Sequence, residues 1–542
     1  MSGVGDTETL GAMLRRLREL VAGCRFGLAT NGAEEATRTA RGLVNQLDDY
    51  VQPRLDRLTG PLLMVVCGPT GAGKSTLVNS MVRARVSEAG ALRPTTRAPV
   101  LVANPADASW FTRFYLLPTF SRAANAPTSG GRHLQVVAAP SLPPGLALLD
   151  APDIDSVVAA NRTLATELMG AADLWLFVTT ANRYADEVPW QALHAARERG
   201  TQIAVVLDRV PGGADRVVHR HISQLLDGEG LADAPIFDVP ESALDYDGLL
   251  PEEAVASLRD WFIRLAADVP LRGALAGQTL DGVLATLPER ITLLAEESAE
   301  QRRVAERLRV TAREAHRTAL STVDDMVRRG GLLTGELLAR WEEMVAGGEL
   351  LRAVQSRSGR LRDQLGVTLA GRSVPGKQTV PAVGAALRAL VRETLAQAAQ
   401  RTAEDWERLP AGAALLSDVD DATAGSDEVV TEWLDAVLDL VRDDVGQQSV
   451  ARQTTYTLHA VRLLVLVAVL IAPARAKDVG TERDMVDTVL ADPVVRRLAE
   501  VARKDLRERI GNLVEGQRRR YDSALNRVAV DGTRADALRD MA

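Results

Sequence analysis

One short stretch of this 542-residue chain carries residue types at a spacing suited to phosphate chemistry. Residues 68–75 read GPTGAGKS and match the pattern G-x-x-x-x-G-K-[ST]. Glycines let backbone N–H groups curl around phosphates, and the N-terminus of a following helix adds the positive end of its dipole. Lys74 would reach the β- and γ-phosphates, and the Ser75 hydroxyl would hold Mg²⁺. The motif therefore predicts a nucleotide-binding loop.

Three later residues bear on the phosphate end of such a site. Thr96, in a TTR triplet before an apolar segment, can close over the γ-phosphate and complete the Mg²⁺ shell, as a GTPase switch does, or can simply lead into a strand. Asp150 ends another apolar segment and is placed to hold Mg²⁺ through water. Asp153 stands where GTPases normally have glycine, which makes a nucleotide-dependent movement of this loop less certain.

Recognition of the base rests on weaker signals. The [NT]-K-x-D motif of GTPases should follow the apolar segment 202–207, but the residues there read DRVP and lack the carboxylate that pairs with guanine. Arg209 can stack on a base, and Asp208 can act as the asparagine does. Ser242 and Ala243 fit the position where a backbone N–H meets the guanine O6. Guanine is favoured by this arrangement, and an ATP-using protein remains the weaker alternative.

The elements that must position these residues follow from short apolar segments. Continuous apolar runs separated by helical or loop stretches are typical of a mostly parallel sheet covered on both faces. We therefore predict an α/β P-loop domain, with the motif between a strand and a helix over residues 75–83. The predicted strands are residues 62–67, 99–103, 134–138, 146–150, 174–178, 202–207 and 236–239.

The remaining sequence has helical periodicity, so the chain is predicted to combine the α/β domain with a large all-α bundle or stalk. We place N-terminal helices that pack with the stalk at 1–58, the P-loop GTPase domain at 59–268 and the helical bundle at 269–542. Pro53 should kink its helix or begin a new segment. Residues 410–428, rich in small and acidic residues, are predicted to form an exposed loop.

Composition narrows the class of protein. The chain has 64 Lys and Arg against 72 Asp and Glu, a formal net charge of −8, and a pI near 5.5, which argues against a nucleic-acid binder. Two cysteines, Cys24 and Cys67, cannot form a disulfide framework or a Cys-rich metal site. The first twenty residues lack the apolar core of a secretory signal.

The longest apolar run is residues 463–472, well short of the roughly 18–20 residues that span a bilayer. A run of this length suits a buried helix, which we favour, or a segment that dips into a membrane surface. If the protein contacts a membrane, residues 456–480 are the expected tip.

Taken together, the motifs GPTGAGKST, TTR, DAPD, DRVP and SAL over residues 68–244, followed by a large helical region, resemble those of bacterial dynamin-like GTPases. The similarity is greatest to the actinobacterial branch, whose third motif reads D-x-P-D-x-D-S, as residues 150–156 do here. Residues 348–357 and 493–510 are also similar to that branch. The resemblance implies GTP and GDP binding, Mg²⁺-dependent hydrolysis stimulated by dimerisation, and a helical trunk that contacts lipid or partners.

The resemblance also assigns residues. Lys74, Thr96 and Asp150 take the catalytic positions, and Ser75, Thr96 and Asp150 surround Mg²⁺. The nucleotide-binding positions are Gly68, Thr70, Gly71, Gly73, Lys74, Ser75, Thr76, Asp208, Arg209, Ser242 and Ala243. Dynamins usually carry a catalytic Gln or Arg inside the P-loop, where this chain has Thr70 and Gly71, so hydrolysis is expected to be slow, partner-assisted or absent.

Two functions follow as hypotheses. The first is a cytoplasmic, peripherally membrane-associated GTPase that couples GTP hydrolysis to self-assembly or membrane remodelling, as a homo-oligomer or with a related GTPase. The second is a nucleotide-binding scaffold with little hydrolysis that serves as a partner subunit. Arg183, which follows a predicted strand, is either an arginine finger for a second molecule or, more commonly for such a residue, an ion-paired surface arginine.

Overall fold

In a computed structural model, the chain divides into two compact units. The first comprises Met1–Cys24, Glu34–Ala299 and Asp531–Ala542, and the second Arg25–Ala33 and Glu300–Val530. The structure describes residues 3–88, 99–112, 116–123, 133–156, 158–184, 187–198, 200–211, 215–329, 379–419, 423–446, 454–470, 492–528 and 533–542.

A mostly parallel sheet forms the centre of the first unit. Over the described residues it has eight strands in the order β3-β4-β2-β5-β1-β6-β7-β8, and every neighbouring pair is parallel except β2 with β5. The predicted fold class is therefore confirmed. The strands are β1 (Leu62–Cys67), β2 (Val100–Ala103), β3 (Ser121–Ala123), β4 (His133–Ala138), β5 (Leu146–Asp150), β6 (Leu174–Thr180), β7 (Gln202–Val210) and β8 (Ile236–Pro240). Only the three-residue β3 was not expected from the sequence, because it is too short to show a pattern.

Helices cover this sheet. They are α1 (Gly3–Ala22), α2 (Ala33–Gln46), α3 (Gln52–Asp56), α4 (Lys74–Val82), α5 (Ala108–Thr112), α6 (Ala159–Gly170), α7 (Glu187–Glu198), α8 (Asp215–Gly228), α9 (Glu252–Ala267) and α10 (Val269–Ala285). All six residues of β1 and all five of β5 are buried, which explains why these strands read as unbroken apolar runs. A π-helical turn over Leu47–Val51 separates α2 from α3, whose first turn contains Pro53, as the sequence predicts.

A buried ion pair ties the N-terminal helices to the sheet. Arg54 and Asp173 are both fully buried and pair through Arg54 Nη2 and Asp173 Oδ2. The same carboxylate accepts hydrogen bonds from the Tyr50 hydroxyl at 3.1 Å and from the Leu63 N–H at 2.7 Å. A buried charge needs such partners, because its desolvation is costly when it is unpaired. Tyr50 and Arg54 thus belong to the core of the sheet unit.

The compact units consequently differ from the domain boundaries proposed at 58/59 and 268/269. The helices before residue 58, apart from residues 25–33, belong to the sheet unit rather than the helical one. At the second boundary, α10 extends the sheet unit beyond residue 268. Ala276 is buried in the core cluster of the sheet, and the Thr279 hydroxyl donates to the Asp173 carbonyl at 3.1 Å. Side-chain contacts between distant segments set these boundaries, and composition does not reveal them.

The second unit is helical. Part of the 43-residue α11 (Leu287–Arg329) belongs to it. Five further helices in the described part of the chain contribute to its buried core. They are α12 (Thr379–Glu407), α13 (Pro410–Leu416), α14 (Ser426–Gly446), α15 (Thr454–Leu470) and α16 (Pro493–Arg527). The last helix, α17 (Thr533–Arg539), belongs to the first unit. The prediction of an exposed loop over 410–428 is wrong for its first part, because α13 begins with Pro410 in its first turn and buries Ala411 and Leu415.

The apolar run that could have met a membrane lies mainly in α15. Residues 463–469 are buried, and α15 packs against α12, α14 and α16. Of the two interpretations of this run, the structure supports the buried helix. The rest of the predicted membrane tip, residues 471–480, lies outside the described residues. Across the described stretches, none of the helices combines the length and the apolar character that crossing a membrane requires.

We expect Asp173→Asn to destabilise the sheet unit strongly. The substitution leaves the Arg54 guanidinium charged and buried without its carboxylate, a loss of about 3 kcal/mol or more in the free energy of unfolding. Chemical denaturation followed by circular dichroism measures it. Tyr50→Phe, which removes one hydrogen bond to the same carboxylate, is the control and should cost only about 1 kcal/mol. Equal stability of Asp173→Asn and the wild type would contradict this role of the ion pair.

Candidate functional site

The residues singled out for nucleotide chemistry gather at one edge of the sheet. Strands β5, β1, β6, β7 and β8 run parallel, so their carboxyl ends lie together. The loop 68–75 leaves β1, Asp150 ends β5, and Asp208 lies near the end of β7. Ligands of open α/β sheets bind in crevices at the carboxyl ends of the strands. This edge is therefore the candidate nucleotide site.

Two glycines of the loop occupy positions that no other residue fits. Gly68 has φ +147° and Gly73 has φ +91°, in the region that side chains disfavour. A Cβ on Gly68 would lie 2.0 Å from the carbonyl oxygen of Val178 in β6, and one on Gly73 would lie 2.3 Å from the Asp208 carboxylate. The loop can therefore pass closely over β6 and β7 before α4 begins at Lys74.

The Lys74 ammonium is folded back into this loop. Its side chain is only 5% exposed, and Nζ donates to the carbonyl oxygens of Gly68 at 3.0 Å and Pro69 at 3.1 Å. It also forms an ion pair with the Asp153 carboxylate. The ammonium thus lies among oxygen atoms at the centre of the candidate phosphate site, where a phosphate oxygen would find a strong donor.

Asp150 and two serines form the part of the site suited to a divalent cation. The hydroxyl of Ser75 donates to Asp150 Oδ2 at 2.6 Å, and the hydroxyl of Ser87 donates to the same atom at 2.5 Å. Asp150 is fully buried, which raises its pKa, and its Oδ1 has no hydrogen-bond partner. A buried carboxylate oxygen left unpartnered beside a serine hydroxyl suits Mg²⁺, which prefers hard oxygen ligands.

Thr70 of the P-loop is held by a separate network. Asp155 Oδ1 accepts hydrogen bonds from both the N–H and the hydroxyl of Thr70, each at 2.6 Å. Arg183 donates to the Thr70 carbonyl at 2.7 Å and to Asp155 Oδ2 at 3.0 Å. Burial raises the pKa of Asp155, but these hydrogen bonds outweigh burial and bring that pKa below its ordinary value. Arg183 is thus ion-paired and bound to the P-loop of its own chain.

Asp208 and Arg209 reach the P-loop from β7. Arg209 has φ +55°, and its guanidinium donates to the Gly71 carbonyl. Asp208 lies under Gly73, and its burial raises the pKa of this carboxyl to about 6, against the opposing charge of Arg209. Both side chains therefore lie close to the P-loop, at the edge where a base would lie if the phosphates occupy the loop.

The other predicted residues are placed less centrally. Thr76 lies in the first turn of α4. Ser242 and Ala243 follow β8, the neighbour of β7, and the Ser242 hydroxyl donates to the Pro240 carbonyl at 3.0 Å. Thr96 lies outside the described residues. Sequence reasoning missed Ser87 altogether, because a lone serine carries no motif. Asp155 belongs to the D-x-P-D-x-D-S motif, but the motif alone does not indicate its bonds to Thr70.

Comparison with known proteins yields similarities of structure alone. No family model matches the chain, and no curated protein matches it. Two solved structures of an oligomerised bacterial dynamin pair, described as sensing and tethering membranes over long range, are 10% and 12% identical with TM-scores of 0.38. They match 98% and 94% of this chain and 93% and 94% of their own.

Two structures of the protein Era are also similar. One is a complex with MgGDPNP and nucleotides of 16S ribosomal RNA, and the other is the Aquifex aeolicus protein bound to GDP·AlF4⁻. Each is 16% identical with a TM-score of 0.25, and the match covers 37% of this chain and 57% of the Era chain, little more than half its length. The assignment of function to this chain therefore rests on its own site residues.

We expect Asp208→Asn to stabilise the protein in a pH-dependent manner. Because the pKa of Asp208 is raised to about 6 in the folded state, its ionised form lowers stability at higher pH, and this penalty fades as the pH falls from 6 towards 4. At pH 8 the variant should gain about 1–3 kcal/mol in the free energy of unfolding.

Thermal unfolding at pH 8 and pH 5 measures the difference, with the gain clearly smaller at pH 5. Asp247→Asn, which removes one exposed carboxylate after β8, is the matched control for net charge and should change little at either pH. A gain of the same size at both pH values would show that Asp208 does not carry the penalty.

Proposed function

We propose that this chain is a dynamin-like GTPase that binds GTP and GDP with Mg²⁺ and hydrolyses GTP. The observation that carries the proposal is the meeting of Lys74, Ser75 and Asp150 at the carboxyl edge of the sheet, around a loop whose glycines allow close approach. A P-loop between a central buried strand and the start of a helix is the arrangement that nucleoside triphosphate hydrolases use.

Each residue has a role that its position supports. Lys74 would exchange its present oxygen partners for β- and γ-phosphate oxygens, and the first N–H groups of α4 would bind the phosphates along the helix dipole. Ser75 and the open Oδ1 of Asp150 would hold Mg²⁺, directly and through water respectively. When bound, Mg²⁺ offsets negative charge on the phosphate oxygens. Thr96 is proposed to complete this shell.

Guanine is the proposed base. The Arg209 side chain lies on the P-loop at Gly71, from where its planar group can stack on a base, and Asp208 supports the loop at Gly73. Ser242 and Ala243 are proposed to present a backbone N–H to the guanine O6. Competition between GTP and ATP for a fluorescent guanine nucleotide tests the choice, and equal displacement by ATP would reject guanine specificity.

Assembly at a membrane is proposed as the outcome of the nucleotide cycle. The motif resemblance to bacterial dynamin-like GTPases supports a homo-oligomer, or a hetero-oligomer with a related GTPase, at the cytoplasmic face of the cell membrane. Because residues 463–469 are buried in the helical unit, this run is not the proposed lipid contact in the conformation described. Co-sedimentation with anionic liposomes, with and without a non-hydrolysable GTP analogue, tests the association.

We expect Lys74→Ala to abolish nucleotide-dependent activity. Loss of a charge-assisted donor to phosphate should weaken GTP binding about 10- to 100-fold, and phosphate release should fall to background. The chain contains only four lysines, so Lys504→Ala is an informative control: Lys504 is 75% exposed on α16 and pairs only weakly, at 3.7 Å, with Glu508. Wild-type turnover in Lys74→Ala would exclude the proposed site.

A nucleotide-binding scaffold is the second candidate. The network around Thr70 favours it, since Thr70 stands where dynamins usually place a catalytic Gln or Arg, and Asp155 and Arg183 bind it. Such a protein would bind GTP with no phosphate release, either alone or with liposomes. Measuring affinity and turnover on the same preparation separates the two functions: tight binding without turnover favours the scaffold, and concentration- or lipid-stimulated turnover favours the GTPase.

A further inference from the structure

We propose that Asp153 competes with the γ-phosphate for Lys74, so that this residue biases the site toward nucleoside diphosphates over triphosphates. The inference rests on the proposed nucleotide site and concerns its selectivity for the length of the phosphate chain. It is carried by the ion pair between Lys74 and Asp153, a residue that stands where GTPases normally have glycine.

The first step is the occupancy of the Lys74 ammonium. An ammonium group has three N–H donors. In this structure they meet the carbonyl oxygens of Gly68 and Pro69, at 3.0 and 3.1 Å, and the carboxylate of Asp153. Of these three partners Asp153 is the charged one, so it is the partner that most resembles an anionic phosphate oxygen. A phosphate that binds Lys74 must displace one of them.

The second step is the strength of the pair. The Lys74 side chain is 5% exposed and that of Asp153 is 23% exposed, so the contact is largely shielded from water. Exposed ion pairs contribute little because water and salt screen them, whereas partly buried pairs are screened less. The Asp153 carboxylate is therefore a competitor of consequence for the ammonium.

The third step is the geometry of the loop that carries Asp153. One residue later, the Ile154 N–H points to the Gly68 carbonyl at 3.4 Å, and two residues later Asp155 accepts two hydrogen bonds from Thr70. On the other side, the Ala151 N–H donates to the Val66 carbonyl at 3.3 Å. The loop is thus held by β1 before Asp153 and by the P-loop after it, which keeps the carboxylate close to Lys74.

The final step separates the two nucleotides. A P-loop lysine reaches the β- and γ-phosphates. With a diphosphate bound, Asp153 can stay beside Lys74 on the side that a γ-phosphate would take. A triphosphate brings further negative charge to that side, and like charges repel, so the carboxylate must leave before the triphosphate binds fully. The cost of that displacement falls on GTP and much less on GDP.

The test is the affinity of the full-length chain for GDP and for the non-hydrolysable analogue GDPNP, both with Mg²⁺, by titration calorimetry. Asp153→Asn keeps the shape of the side chain and removes its charge. We expect the variant to bind GDPNP about tenfold more tightly than the wild type, because Lys74 is then free of the Asp153 carboxylate and available to the γ-phosphate. The affinity for GDP should change by less than about threefold. Asp153→Ala should give the same change in ratio.

Asp227→Asn is the matched control for charge, since it removes one exposed carboxylate on α8, whereas the carboxylate that pairs with Lys74 is that of Asp153. Its ratio of GDPNP to GDP affinity should equal that of the wild type. Circular dichroism first checks that the wild type and both Asp153 variants are folded. If all three then show the same ratio of GDPNP affinity to GDP affinity, the competition is refuted while the nucleotide site stands. If none of the folded proteins binds either nucleotide, the proposed function itself fails and this inference with it.

Discussion

The buried ammonium of Lys74 is the charge around which the candidate nucleotide site is organised. A buried cation must be surrounded by oxygen atoms, because the cost of removing it from water is otherwise not offset. Here two carbonyl oxygens of the P-loop and the Asp153 carboxylate meet that need. The same requirement explains why the site would accept a phosphate chain, whose oxygens can replace those partners.

The fold supplies a rigid frame for this charge. Strand β1 is central and completely buried, with β5 and β6 parallel to it on either side, so the start of the P-loop has little freedom. The buried Arg54–Asp173 pair fixes the N-terminal helices against the opposite end of the same strands, next to Leu63. The two charge clusters therefore lie at opposite ends of β1, one structural and one facing the candidate site.

The candidate site contains several carboxylates, and their different surroundings give them different pKa shifts and different contacts. Burial raises the pKa of Asp150 and of Asp208, whereas hydrogen bonds from Thr70 and Arg183 keep Asp155 readily ionised. Asp150 has a buried oxygen without a hydrogen-bond partner, Asp155 holds the P-loop at Thr70, and Asp208 lies close to Gly73. The Lys74 ammonium is itself paired with a further carboxylate, that of Asp153.

Local sequence determined the parts of this protein that depend on local physics. The glycines of residues 68–75 encode backbone angles unsuited to other residues, and unbroken apolar runs encode strands buried on both faces, so the P-loop, seven of the eight strands in the described part of the sheet and the fold class follow from the sequence. The long helices follow from their periodicity in the same way.

The tertiary structure alone decided which distant groups meet. The packed sheet brings separate segments of the chain together, and three contacts depend on it. Asp153 pairs with Lys74, Ser87 shares Asp150 with Ser75, and Arg54 pairs with Asp173. No periodicity or motif encodes such partners, because the energy of a charged group depends on the atoms around it in space rather than along the chain. The P-loop motif was thus readable from the sequence, but the partners of its lysine were not.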